Sequence, residues 1–446
     1  MSIQPKLNRF DLTMIVISLI IGMGIFKTPG EVALKAGNAY IFFGAWIFGG
    51  LVTICGALTF AEIGARYPVV GGFYKVFSYC YHPAVAFMIN WVAVISNAAS
   101  VAAVAIVGAE YINPLVLPAS LQNPTGVEIT SITLVLVLYA INFLGIKMSA
   151  RTQNVLTLFK IGMILVLCTA VFRSNHTPIT TVIVPHSGNV VKAFGLSLVA
   201  VFFTYGGYQQ TINFGGDVIK AKTNVPKGIF LGVGAVIFLY LSINFVYYKV
   251  LGIGGLQSNN QLASKLAGVI FGKTGYKITS LLLFGSIMAY INVNILANPR
   301  VYYAMAEDGI LPQIFKRVNS KTQVQDFAMS FFVGAIVLIL IFVTNFGTVL
   351  DYIMFFDTIG LSLAALSIFK LRQKTRHLDG TGIYTIKWYP YIPAIFILTY
   401  WFVTANIFAT FGENHYAAFI CLGAYALGLI IYYACTYKKK PAPNTD

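Results

Sequence analysis

The chain has 446 residues, of which 58% are hydrophobic and only 10% charged, with a mean hydropathy of +0.78. A soluble domain cannot hide that much apolar surface, whereas a protein with many membrane crossings leaves it facing lipid. The formal charge of +16 lies in alternate loops rather than on one face, which sets nucleic acid aside as a partner and leaves the lipid bilayer.

At about 20 apolar residues per crossing, twelve helices are predicted: 10–36, 39–65, 83–112, 127–145, 150–172, 193–220, 226–250, 276–304, 327–345, 348–370, 388–411 and 414–436. The first, MIVISLIIGMGIFKTPGEVAL, is interrupted by Gly22 and Gly24, with Pro29 soon after. Its flanks lack the layout of a cleaved leader, so it is expected to remain as a helix. Between the second and third helices, RYPVVGGFYKVFSYCYHP is amphipathic and is expected to lie along the membrane surface. The sixth helix, LSLVAVFFTYGGYQQTINFGGDVI, is interrupted by Gly206 and Gly207. Before helix eleven, the prolines of TIKWYPYIP fix the entry of the chain.

The positions of the two breaks imply a five-plus-five inverted repeat, 10–172 and 193–370, followed by two extra helices at 388–436. No stretch is long and polar enough for a soluble unit, so 1–446 reads as a single membrane transport domain, all-α and polytopic. Basic clusters at Lys220/Lys222/Lys227, Lys316/Arg317/Lys321, Lys370/Arg372/Lys374/Arg376 and Lys438–Lys440 place both termini in the cytoplasm. The loop with Lys265, Lys273 and Lys277 is the exception. The expected location is the cell membrane, inner or plasma.

Unpaired backbone groups in a bilayer cost several kcal/mol each, so a break is tolerable only where it lines a cavity or binds something. The N-terminus of the half-helix beyond a break favours an anion, and the carbonyls before it favour a cation. An α-amino acid carries both charges on neighbouring atoms and satisfies both poles. Its carboxylate would meet the N–H groups of Met23, Gly24 and Ile25, and its ammonium the carbonyls near Ile20, Phe203 and Tyr205. The alternative is that these are packing glycines, which are common in membrane helices.

Other signals are weak. Cys55, Cys80, Cys168, Cys421 and Cys435 have no CxxC spacing and read as small buried hydrophobes. The five histidines have neither metal-ligand spacing nor a nearby nucleophile arrangement. AGVIFGKT, Ala267 to Thr274, fits a loose phosphate-loop pattern but sits in a loop between membrane helices instead of after a strand. No metal, cofactor or enzyme activity is expected.

Several segments in order, IIGMGIFKTPGEVALKAG, GALTFAEIGARYPVVGGFY, TQNVLTLFK, FTYGGYQQTINFGGDVIKAKTNVP and NPRVYYAMAEDGILPQIF, resemble the amino acid–polyamine–organocation superfamily, most closely its L-type amino acid transporter branch. The resemblance runs over helices one to ten and into the next loop. It implies the leucine-transporter fold and secondary active amino acid transport by alternating access, with many members acting as sodium-independent exchangers. It also implies that Gly22, Met23, Gly24 and Ile25 hold the substrate carboxylate beside Gly206 and Gly207, and that Phe203 is the aromatic gate. Met23 stands where relatives usually have a small Ser, which keeps a backbone N–H but narrows the pocket.

Gln209 falls where relatives carry an Asn or a proton-sensitive Glu, and an amide does not titrate near neutral pH. Asn213, one turn on, also follows from the resemblance. Lys160 matches a lysine that occupies the place of a sodium ion in sodium-independent relatives. It is expected to bridge the first break to helix eight, where Ser286, Asn292 and Asn294 offer polar partners; the alternative is a lysine snorkelling to the surface. Lys27 is unusual beside the break, and Asp351 and Asp357 are its acidic candidates; it either tunes preference toward acidic substrates or reaches the outer vestibule, the simpler reading. Glu62 and Asp217 read as gate or loop salt bridges. The loop from Asn113 to Val127 has no cysteine, so no covalent heavy-chain partner is expected, and the protein should be a monomer or a weak oligomer. The competing functions are a proton- or sodium-coupled symporter and an amino acid sensor that does not transport.

Overall fold

The computed structural model describes residues 6–22, 24–69, 72–144, 146–172, 190–257, 262–342, 346–410 and 415–437. The described residues form sixteen α-helices and no strand. α1 (Arg9–Ile20) starts on a reciprocal cap, in which Asp11 N–H donates to Asn8 Oδ1 and Asn8 N–H donates to the Asp11 carboxylate. Together these satisfy two of the donors left open at a helix start. α2 (Gly24–Ala36) follows at once, bent 41° from α1. α3 (Ala39–Arg66) is capped by Asn38, and the short amphipathic α4 (Gly72–Cys80) buries Tyr74 and Phe77.

Next come α5 (Pro83–Val116), α6 (Pro124–Phe143), α7 (Ile146–Cys168) and α8 (Val190–Tyr205). α9 (Ala221–Gln257) is kinked at Gly252, and α10 (Leu262–Phe271) leads into α11 (Gly275–Ala297) and α12 (Pro299–Glu307). α13 (Asp326–Phe342), α14 (Phe346–Lys374), α15 (Tyr391–Thr410) and α16 (His415–Tyr437) complete the chain.

Among the described residues nine helical stretches are long and apolar enough to cross a membrane, and the bent pair α1–α2 makes a tenth. The other two expected spans coincide with α13 and α16, whose described apolar stretches, Asp326–Ile341 and Leu422–Tyr433, are shorter. Exposed Leu51 and Ile54 on α3, and Leu398 and Trp401 on α15, suit a lipid-facing surface. α10 occupies part of what the sequence reads as loop, and the phosphate-loop-like Ala267–Thr274 is helical with a helix before it, not a strand.

Two apolar clusters make up the interior. The larger draws on α1, α2, α3, α8 and α9 and includes Ile15, Phe42, Val201 and Tyr240. The smaller joins α5, α6, α11 and α13 through Val101, Leu138, Ile291 and Phe332. Small residues bring backbones close inside the larger one: a Cβ on Gly49 would lie 2.3 Å from Val201 Cγ1, and one on Gly232 2.5 Å from Val16 Cγ1. Without a hydrophobic force between helices in lipid, such close approach carries the packing energy.

Charges gather at helix ends. Glu62 takes Arg66 Nε at 2.6 Å, Arg372 Nε and Nη2 at 2.7 Å and the Ile386 N–H at 2.7 Å. Arg66 also reaches Asp379 at 2.7 Å, and its guanidinium holds the Asp379 carboxyl below the usual carboxylate range. Asp217 pairs with Arg300, both side chains being 1% exposed, and its carbonyl accepts the N–H groups of Lys6 and Leu7. Lys75 pairs with Glu307 at 3.0 Å and with Asp308. Glu62 and Asp217 are thus salt-bridge residues, as expected from the sequence.

Candidate functional site

The first break is a short extended link. Ile21 has φ −73° and ψ 92°, its N–H still donates back to Ile17 O at 2.8 Å, and Gly22 N–H turns to Ile20 O at 2.9 Å. α2 starts afresh at Gly24, so the first N–H groups of α2 lack the carbonyls one turn earlier that would have paired them. Gly24 is needed for proximity: a Cβ there would meet Thr204 Cγ2 at 3.0 Å and Thr204 Cα at 3.2 Å. The two helices are further joined by a hydroxyl pair, Thr28 Oγ1 to Thr204 Oγ1 at 2.6 Å.

The second break differs from the expected resumption of an α-helix. After α8 ends at Tyr205, Gly207 adopts φ 112° and the chain continues as a 3-10 helix, Tyr208–Asn213, before turning into α9. A left-handed φ of this kind suits glycine. The position is also crowded, because a Cβ on Gly207 would sit 2.2 Å from the Leu19 carbonyl oxygen. The backbones of the two breaks therefore touch, Gly207 against Leu19. Gln209 is buried and its Oε1 accepts the Gly207 N–H at 2.9 Å, so this amide braces the second break and is not a surface group.

A cavity of about 70 Å³ lies against both breaks, room for several waters at roughly 10–15 Å³ each. Of the residues expected at the site, Ile20, Gly22, Gly24, Phe203, Gly206, Gly207, Gln209 and Asn294 line it. Ile25 and Tyr205 are turned into the core at 0% and 1% exposure, Tyr205 against Trp46 and Tyr240, so only their backbones face the breaks. Met23 lies outside the described residues. The Ile20 carbonyl is already engaged, accepting Tyr240 Oη–H at 3.0 Å as well as the Gly22 N–H. This corrects the expectation that it is open to an ammonium.

Lys160 is 0% exposed, which removes the snorkelling alternative. Its Nζ donates to the Ser18 carbonyl and to Ser18 Oγ at 3.1 Å each, and to the Ile21 carbonyl at the first break. The expected direct bridge to helix eight is not formed. Asn292 instead donates to Gln153 Oε1 at 2.8 Å and accepts from Asn142, Asn294 donates to Tyr290 O, and Ser286 Oγ has no partner among the described residues. The connection to α11 runs through Ser18, whose Oγ reaches Ala289 O at 3.3 Å. The lysine is too occupied by the α1 carbonyls to extend further.

Three lining groups were missed. Asn97 and Ser100 on α5 and Tyr290 on α11 face the cavity; Ser100 and Tyr290 share a 2.8 Å hydroxyl contact, and the Tyr290 ring stands 3.3 Å from where a Gly22 Cβ would be. Their signal was available as polar residues spaced three or four apart within apolar helices. A second cavity, about 80 Å³, adjoins the first toward α4 and is lined by Phe73, Phe77 and Asn213 among others. The two share Asn97, Gln209, Gln210, Asp357 and Leu361. Asp357 thus faces the cavities, while Lys27 lies half-buried on α2 and the Asp351 side chain is outside the described residues.

With this geometry in place, similarity to known proteins bears on it. The family model described as amino acid permease matches residues 7–437. The serine/threonine exchanger SteT of Bacillus subtilis is 29% identical over 409 residues, 90% of each chain. The methylthioribose transporter of the same organism is 26% identical, covering 88% of this chain and 86% of that one. The human Asc-type amino acid transporter 1 is 23% identical over 84% of this chain and 73% of its own.

Proposed function

The chain belongs to the amino acid permease family and is a multi-pass amino acid transporter of the amino acid–polyamine–organocation superfamily, and from that premise we propose that it works as a sodium-independent exchanger of α-amino acids by alternating access. The observation that carries this reading is Lys160. Its ammonium already satisfies the Ser18 carbonyl, the Ser18 hydroxyl and the Ile21 carbonyl, oxygens of the kind a hard cation would need as ligands. A fixed internal cation in that position leaves no call for a bound sodium ion.

In this reading the substrate carboxylate rests on the first N–H groups of α2, those of Gly24 and Ile25, the Gly22 N–H being engaged by the Ile20 carbonyl. The ammonium turns to the carbonyls at the end of α8 near Phe203, since the Ile20 carbonyl is engaged. Phe203, half-buried on the cavity wall, closes over the substrate. The whole chain acts as one transport domain in the cell membrane with both termini cytoplasmic, which the alternating basic loops support. The loop from Asn113 to Val127 lacks cysteine, which supports action without a covalently attached subunit.

Counterflow in proteoliposomes tests the reading. A panel of labelled amino acids, with methylthioribose included because one relative carries it, is offered to vesicles loaded with unlabelled substrate, with and without sodium. Exchange that needs internal substrate and ignores sodium is the expected result. Binding without counterflow would make the protein a sensor, and sodium-stimulated or pH-gradient-driven net uptake would make it a symporter. Unchanged uptake by Gly24→Leu would remove the proposed site.

A further inference from the structure

The carboxylate of Asp357 faces the wall shared by the two cavities, on the side of α14 that also presents Leu361. Among the described residues no hydrogen bond or ion pair reaches it, and no Lys, Arg or His lines either cavity. Beside it on the same wall, Gln210 Oε1 is buried without a hydrogen-bond donor, while the Gln210 amide nitrogen is committed to Asn97 Oδ1 at 3.3 Å. The junction therefore presents a carboxyl group and a second acceptor that no hydrogen bond among the described residues satisfies. Ionisable groups inside membrane segments are expensive unless compensated, and their usual place is a transport pathway.

We propose that Asp357 is a specificity-determining residue that reads the charge of the substrate side chain, so that this transporter prefers amino acids bearing an ammonium or guanidinium on that side chain over neutral or acidic ones. The inference rests on the α-amino acid reading above. With the zwitterionic end held at the two breaks, the side chain runs toward the wall formed by Asn97, Gln209, Gln210 and Asp357. A lone proton on Asp357 would cancel its charge but supply a single donor. An ammonium supplies three donors and a guanidinium five, enough for the carboxylate and for Gln210 Oε1 together. An acidic side chain would place like charges in one poorly solvated cavity.

Proteoliposomes loaded with unlabelled serine are offered labelled lysine, arginine, serine, leucine and glutamate, with wild type, Asp357→Asn and Asp357→Glu compared. The expected result is that wild type takes lysine or arginine in preference to leucine and rejects glutamate. Asp357→Asn should lower the lysine-to-serine ratio by roughly tenfold or more, the factor carried by one hydrogen bond between charged groups, and Asp357→Glu should restore much of it. A wild type that exchanges serine but neither lysine nor arginine overturns the proposal without any variant having to fold. So does an unchanged ratio in Asp357→Asn, including the case where only its response to an imposed pH gradient is lost, which would make Asp357 a proton carrier. A wild type that exchanges no amino acid at all would instead sink the exchanger reading on which the proposal rests.

Discussion

Replacing Lys160 with Met keeps a long apolar stem and removes only the ammonium. Wild-type Nζ holds two backbone carbonyls, those of Ser18 and Ile21, together with Ser18 Oγ. The Ser18 hydroxyl keeps its contact with Ala289 O, so the two carbonyls are the groups left orphaned. At about 1–3 kcal/mol for each unsatisfied buried group, the loss is about 2–6 kcal/mol. Against it stands the cost of placing an ammonium in a membrane segment, about 2.5–3.5 kcal/mol on insertion scales, which Met does not incur. The difference lies between about 1.5 kcal/mol of stabilisation and about 3.5 kcal/mol of destabilisation, small enough for the variant to fold and be reconstituted. Function should suffer more, because the Ile21 carbonyl belongs to the break itself and a shift of its peptide moves the N–H groups facing the cavity. Misplacement on the scale of an ångström is worth up to about a hundredfold in rate, so counterflow by Lys160→Met should fall at least about tenfold in sodium-free buffer. Sodium is expected to recover part of it by taking the vacated oxygens. Counterflow at the wild-type rate without sodium would refute the argument.

Four further substitutions probe the breaks and the charge cluster at Glu62. Gly207→Ala combines a left-handed φ of 112° with a methyl 2.2 Å from Leu19 O; strain alone costs about 1–3 kcal/mol, so melting temperature and counterflow should both fall. Gly206→Ala, with its nearest contact at 3.2 Å, should fall less, and equal damage from the two would count against the tight crossing. Glu62→Gln leaves Arg66 and Arg372 without their shared buried carboxylate and should cost about 3–5 kcal/mol, seen as a lowered melting temperature in detergent; an unchanged one would show that the cluster is not structural. Asp379→Asn tests pH dependence: because Arg66 lowers the folded-state pKa of Asp379, its contribution is present above the unfolded value and lost as pH falls through the folded one. The melting difference from wild type should be complete at neutral pH, begin to shrink near the ordinary carboxylate value of about 4 and vanish only below the lowered folded value, and a difference that persists in stronger acid would assign the effect to something other than this charge.

The helices were legible because each crossing needs a long apolar run, and the breaks because glycine pairs interrupt two of those runs at Gly22/Gly24 and Gly206/Gly207. What followed the second break was not legible. Tyr208–Asn213 has no composition that distinguishes 3-10 from α, and the winding is set by Gly207 meeting Leu19, a contact between residues nearly two hundred positions apart. The same limit hid the Tyr240 hydroxyl on the Ile20 carbonyl and the partner of Asp217, Arg300 on α12. The sequence marked Lys160 as a buried cation near the break but overextended its reach, since a single ammonium engaged by Ser18 and Ile21 has little left for α11. Asn97, Ser100 and Tyr290 were visible as polar residues in apolar helices, and only the fold turns them toward a common cavity. α10 escaped because ten residues of apolar helix resemble a loop with a hydrophobic patch.

The cavities lie where the two apolar clusters meet, and the bonds across that seam are uneven. In its middle they are neutral and long, Gln210 to Asn97 and Ser18 to Ala289 at 3.3 Å each, worth about 0.5–1.5 kcal/mol apiece after exchange with water. Such bonds do not hold the clusters in one arrangement. Toward α12 the seam is crossed by charge: Arg300 pairs with Asp217 while stacking 4.3 Å from the Phe214 ring, and Lys75 pairs with Glu307 and Asp308. These two locks are not equivalent. The Lys75 pair is partly solvated, with carboxylates 43% and 32% exposed, so water and salt can replace it at little cost. The Arg300–Asp217 pair is sealed, and separating it dry would strand two buried charges. If the clusters rock against each other in an alternating-access cycle, water must reach Arg300 as the seam opens there. The second cavity, which runs beside α4 and is lined by Asn213, Asn298 and Val301, already carries a polar path to within a residue of it.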